Sequence, residues 1–71
     1  MQNLPKKMPK RIVIYAKDVE NITGRKNKAA RKLLQQIRGQ NKKAKDAFVT
    51  VREFCSYTGM CEDEVREFLL D

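Results

Sequence analysis

The sequence predicts a mainly α fold: one small domain built from two strand–helix–turn–helix repeats, with two short β-strands at about 11–15 and 47–51. Three observations predict it. Apolar residues recur at helical spacing in two separate stretches, and each stretch is broken by a Thr-Gly pair. A short run rich in β-branched and aromatic residues precedes each stretch. The two stretches align without a gap at an offset of 35 residues.

The elements follow in order. Residues 1–10 hold Pro5, Pro9 and three lysines and read as a flexible basic arm. RIVIY, residues 11–15, is too short for a helix and reads as a strand. Residues 16–23 form the first helix, with Val19 and Ile22 as its apolar contact, and Gly24 ends it. The second helix is expected at about 27–38. Its apolar side is Ala30, Leu33, Leu34 and Ile37, Asn27 is its expected N-cap, and Gly39 is its expected stop. Residues 39–46 form a polar basic loop. AFVTV, residues 47–51, is the second strand, and its end overlaps a helix at about 51–58 with Val51, Phe54 and Tyr57 facing inward. Gly59 ends that helix, and a last one spans 62–70 with Val65, Phe68 and Leu69 as its stripe. Glu62, Asp63 and Glu64 occupy its first turn, where the helix dipole favours negative charge. Cys61 stands at its cap position, where a thiol accepts weakly.

The repeat is read position by position. Ile14 matches Val49, Asp18 matches Glu53, Val19 matches Phe54, Thr23-Gly24 matches Thr58-Gly59, Arg31 matches Arg66, and Leu34 matches Leu69. The domain thus divides into a basic repeat, 11–38, and an acidic one, 47–71. The equivalence of Arg31 and Arg66 gives Arg31 an expected structural share, a contact with Asp18 mirrored by Arg66 with Glu53.

Charge separates the halves. The chain carries a formal +7. Residues 1–45 hold fourteen Lys and Arg against Asp18 and Glu20, a net +12, and residues 46–71 hold two against seven acids, a net −5. A clustered basic half is the electrostatic footprint of a polyanion partner. The surface pattern assigns that role to the first repeat, because the acids of the second would repel a phosphate backbone. The candidate nucleic-acid-binding residues are Arg25, Lys26, Asn27, Lys28, Arg31, Lys32 and Gln35. Arg, Asn and Gln are the side-chain types able to make paired hydrogen bonds to G or A, and Lys suits phosphate.

Other classes are disfavoured. The chain has no histidine and two cysteines, so a metal site is not expected, and neither is a cofactor. No Gly-rich phosphate loop or Ser–base pairing is present, and Asp18 and Glu20 lie two apart on a helix and so diverge, so an enzyme is not expected. No small-molecule substrate is evident. No apolar run approaches the ~20 residues of a membrane span. The basic N-terminus lacks an apolar signal region, which points to the cytoplasm, where Cys55 and Cys61 would stay reduced as burial-prone thiols. Tyr15, Phe48, Phe54, Tyr57 and Phe68 fall mostly at apolar strand or helix positions and read as core, so RNA ranks below duplex DNA.

The segment 17–38 resembles helix-turn-helix DNA-binding domains of small bacterial transcriptional regulators and excisionases. The resemblance rests on Val19, Ile22, the turn Thr23-Gly24, and Ala30, Leu33 and Leu34. It implies that the second helix enters the major groove and touches base edges with its N-terminal half, through Lys26, Asn27, Lys28, Arg31, Lys32 and Gln35. The segment departs from the family at Glu20, usually small, at Arg25, usually apolar, and at Lys26, usually a Ser or Thr cap. The alternative function is a homodimerising interaction module, in which the basic half of one chain docks on the acidic half of another.

Overall fold

The computed structural model describes residues 11–69; the expected arm at 1–10 and the expected end of the last helix at Leu70 lie outside the described residues. The chain runs β1 (Val13–Ile14), α1 (Ala16–Thr23), α2 (Asn27–Gln40), β2 (Val49–Thr50), α3 (Val51–Thr58) and α4 (Glu62–Arg66). It is mainly helical, with one two-stranded antiparallel sheet. α1 packs on α2, α3 packs on α4, and α2 also meets α3, so the second helix is the spine of the domain.

The caps explain where α1 and α3 begin and end. The backbone N–H of Tyr15 donates to Asp18 Oδ2 at 2.8 Å, and that of Thr50 donates to Glu53 Oε1 at 3.0 Å. At α3 the box closes, since Thr50 Oγ1 accepts from the Glu53 N–H at 3.1 Å. Such caps contribute about 1 kcal/mol each. Both helices stop at glycine: Gly24 has φ 77° and Gly59 has φ 81°. The preceding threonines help. Thr23 Oγ1 donates to the Val19 carbonyl at 2.7 Å and accepts from the Arg25 N–H at 3.1 Å. Thr58 Oγ1 donates to the Phe54 carbonyl at 2.8 Å and accepts from the Met60 N–H at 3.3 Å.

The strands are shorter than RIVIY and AFVTV suggest. Val13 pairs with Thr50 and Ile14 with Val49, within the one chain. The ladder gains one more bond, from the Val51 N–H to the Ile12 carbonyl at 2.7 Å. Each strand stops where a helix begins, β1 before Tyr15, the N-cap of α1, and β2 at Thr50, the N-cap of α3. Ile14 and Val49 both point into the core. That core also holds Val19, Ala30, Leu33, Leu34, Ile37, Val51, Phe54 and Val65. Full burial of one such large apolar side chain is worth roughly 1.5–3 kcal/mol.

Four sequence expectations are corrected. Gly39 does not stop α2, which continues to Gln40. The chain reverses instead at Lys42, a non-glycine residue at φ 55°. The Lys42 N–H reaches the Gly39 carbonyl at 3.1 Å, and the Lys43 N–H reaches the Arg38 carbonyl at 2.9 Å, which is a Schellman closure. α4 ends at Arg66, well short of 70. Its N-cap Cys61 makes no side-chain cap bond, which leaves its first turn to the three acids Glu62, Asp63 and Glu64. Tyr57 and Phe68 do not face inward; they are 41% and 49% exposed. Of the two thiols, Cys55 is buried and Cys61 is exposed. No helix among the described residues is long and apolar enough to cross a membrane.

Candidate nucleic-acid interface

The apolar stripe of α2 sets its outer face. Ala30, Leu33, Leu34 and Ile37 are buried, so a 100° step per residue turns Lys28, Lys32 and Gln35 directly away from the core. Arg31 and Arg38 flank them on the side of the strands. All seven candidate residues, Arg25, Lys26, Asn27, Lys28, Arg31, Lys32 and Gln35, are exposed. The first turn of α2 contains no acid, and its N-cap makes no side-chain hydrogen bond. Positive dipole, unpaired amides and cationic side chains therefore coincide at one end of one helix.

The seven are not equally available. The N-cap is Lys26, not Asn27. Asn27 is the first helical residue, and its Nδ2 donates to Glu20 Oε2 at 2.8 Å. That bond gives the large residue at position 20 a role, since its carboxylate ties α1 to the start of α2 across the turn. Gln35 Nε2 donates to the Lys45 carbonyl at 2.9 Å, and Arg38 Nε donates to the Ala47 carbonyl at 2.6 Å. These two bonds clamp the loop 41–48 against α2. Arg25, Lys26, Lys28, Arg31 and Lys32 have no side-chain hydrogen bond or ion pair within the described residues.

The expected Arg31–Asp18 contact is not formed. Asp18 is taken by Arg11, with Nη1 to Oδ2 at 2.6 Å and Nη2 to Oδ1 at 3.3 Å. The matching expectation in the second half fails likewise. Glu53 pairs with Lys43 at 2.7 Å, while Arg66 donates to the Arg11 carbonyl at 3.2 Å and lies 3.8 Å from Glu62. Arg31 is thereby left without a side-chain partner among the described residues.

An open groove of about 890 Å³ runs between α2 and the strand ends. Lys28, Arg31 and Gln35 line one wall, and Tyr15 and Phe48 line the other. Tyr15 is 49% exposed and Phe48 64% exposed, so the expectation that both are core is overturned. Of the five aromatic residues only Phe54 is fully enclosed. A domain this small has too little interior to cover more. The signal that could have found Tyr15 was its position as the last residue before a helix, where the side chain of a cap residue lies outside the packed face.

Among the described residues, no group of three acids or thiols is arranged to hold a metal ion. Burial pushes the Cys55 thiol above its ordinary value, and the negative charge of Glu62 adds to this, so it is a protonated core group. Comparison of the chain with protein-family models, curated proteins and solved structures finds no match.

Proposed function

We propose that the chain is a DNA-binding module, a small transcriptional regulator or accessory DNA-binding protein of the helix-turn-helix class, that lays α2 in the major groove of duplex DNA. The observation that carries this reading is the outer face of α2. Lys28, Arg31 and Lys32 lie along it, exposed and without side-chain partners among the described residues, with no acid in the first turn. Arg31 is the residue for base edges, because Asn27 and Gln35 have their amides engaged within the chain. Lys26, Lys28 and Lys32 with Arg25 serve phosphates.

The reading includes a division into two copies of one unit. It is supported by α1 and α3, which have eight residues each and begin 35 positions apart, as do α2 and α4. Left-handed glycine caps and threonine back-bonds recur at that same offset. In this scheme both copies supply a strand and core residues, and the outward face of the basic copy meets the DNA.

Titration with duplex DNA at two salt concentrations tests the reading. Binding at low salt that weakens steeply as salt rises is expected, with Arg31→Ala weakening it and Glu64→Ala leaving it unchanged. No binding at low salt removes the reading.

A second reading, self-association of the basic half of one chain with the acidic half of another, draws on a shallow cleft where α1 meets the acidic half. Ile22, Met60 and Phe68 line it, with Glu64 and Glu67 beside them. Sedimentation as a strict monomer at low and high salt would dismiss it.

A further inference from the structure

We infer that the groove between α2 and the strand ends is a stacking site for an unpaired DNA base, so that the chain prefers a junction of duplex and single strand to a blunt duplex. The inference rests on the DNA reading above and adds a ligand feature to it. Tyr15 and Phe48 stand with ring centroids 6.4 Å apart and planes at 87°. They come from segments more than 30 residues apart, brought together by the Ile14–Val49 pairing. The Arg11 guanidinium lies 5.4 Å from the centroid of the Tyr15 ring and holds it in place. Both rings keep about half or more of their surface exposed, Tyr15 49% and Phe48 64%.

The groove they border is chemically two-sided. Its floor is apolar, from Ile14, Leu34 and Val49. Its far wall carries Lys28 and Arg31, both without side-chain partners in the described residues. A planar apolar face beside a fixed cation is what a base and its phosphate together require. Asp46 is the one carboxylate in the lining. It sits beside the C-terminal half of α2, because its neighbours Lys45 and Ala47 accept from Gln35 and Arg38. The phosphate therefore enters at the Lys28 end. A duplex does not fit this description. Its bases are already stacked, and it would bring charged backbone against the apolar floor. The groove's size is that of a small-ligand cleft.

The test compares ligands of one sequence: a blunt DNA duplex, the same duplex with a short single-stranded 5′ or 3′ overhang, the overhang strand alone, and that strand as RNA. A fluorescent adenine analogue sits at the first unpaired position. The overhang should bind about tenfold more tightly than the blunt duplex, within the range of one base–aromatic stack. The analogue's emission should be quenched on binding. Phe48→Ala should abolish both the preference and the quenching while leaving blunt-duplex affinity unchanged, and Phe48→Trp should restore both. Phe48 is exposed, so a circular dichroism spectrum matching wild type is expected of each variant. Equal affinity for blunt and overhanging duplex overturns the stacking site and leaves the DNA reading standing. So does an equal loss on blunt duplex in Phe48→Ala, which would assign the ring to paired DNA, or tighter binding of single-stranded RNA than of the DNA junction. Failure to bind any of the DNA ligands at low salt removes both.

Discussion

Asp18 pairs with Arg11 and not with Arg31: the Arg11 Nη1 lies 2.6 Å from Asp18 Oδ2 at a largely buried site. The same carboxylate accepts the Tyr15 N–H that starts α1. One side chain thus anchors the entry to the sheet and the entry to the helix. Asp18→Ala leaves a buried guanidinium and an amide without this acceptor. Stability should fall by about 1–3 kcal/mol in urea unfolding. Arg31→Ala, by contrast, should change stability little and act on DNA affinity alone. A large loss of stability in Arg31→Ala would mean that it does hold the fold.

The three glycines should respond with opposite signs. Gly24 and Gly59 sit at positive φ, where a Cβ is strained even though open space surrounds it. Replacing either by alanine should lower stability by about 1 kcal/mol. Gly39 lies within α2, with nothing near the place its Cβ would occupy. Gly39→Ala should raise stability by about 0.5–1 kcal/mol. Thermal melts of the three variants give the comparison.

Acid should weaken the second half of the domain through Glu53. The hydrogen bond from Lys43, and after it the Thr50 backbone N–H, hold its carboxyl below the ordinary value of 4.5. A folded value below the unfolded one means that the stabilisation is complete above the ordinary carboxylate range and is lost as pH falls through the folded value. Melting temperature should therefore begin to drop near pH 4.5 and continue below it. Glu53→Gln should start lower at neutral pH and lose less on acidification. An acid slope identical to wild type would refute the role of this carboxylate.

Salt dependence separates the phosphate contacts from the base contacts. Lys28→Ala and Lys32→Ala should each reduce the salt slope of duplex binding by about 1 while lowering affinity evenly across sequences. Gln35→Ala should act differently. Its amide is bonded to the Lys45 carbonyl, so removing it should loosen the loop, visible as faster hydrogen exchange there, before it touches sequence preference.

Much of the helical framework was legible because its signals are local. The Thr-Gly pairs and apolar spacing mark α1 and α3 at their observed bounds. What failed depended on partners outside the helix that carries the residue. Whether Asn27 caps a helix or reaches Glu20, and whether Gln35 is free or holds Lys45, is decided by neighbours that periodicity does not contain. Gly39 misled because a helix tolerates a glycine when the turn can close a few residues later, even on a lysine. The aromatic residues misled because an apolar position in a pattern says which way a side chain leans, not whether anything arrives to cover it. The exposed face of α2 followed from its sequence, whereas the groove beside it needed the pairing of β1 with β2.

The left-handed caps also say something about chirality. Gly24 and Gly59 are achiral residues in the backbone region that belongs to mirror-image amino acids. The chain has 71 residues, short enough for assembly by chemical synthesis and ligation. A D-alanine at either site would hold the native φ without strain and would restrict the unfolded chain as well. Where L-alanine costs stability, its enantiomer should add some. The sign of that difference would report the handedness of each turn in solution, without a crystal.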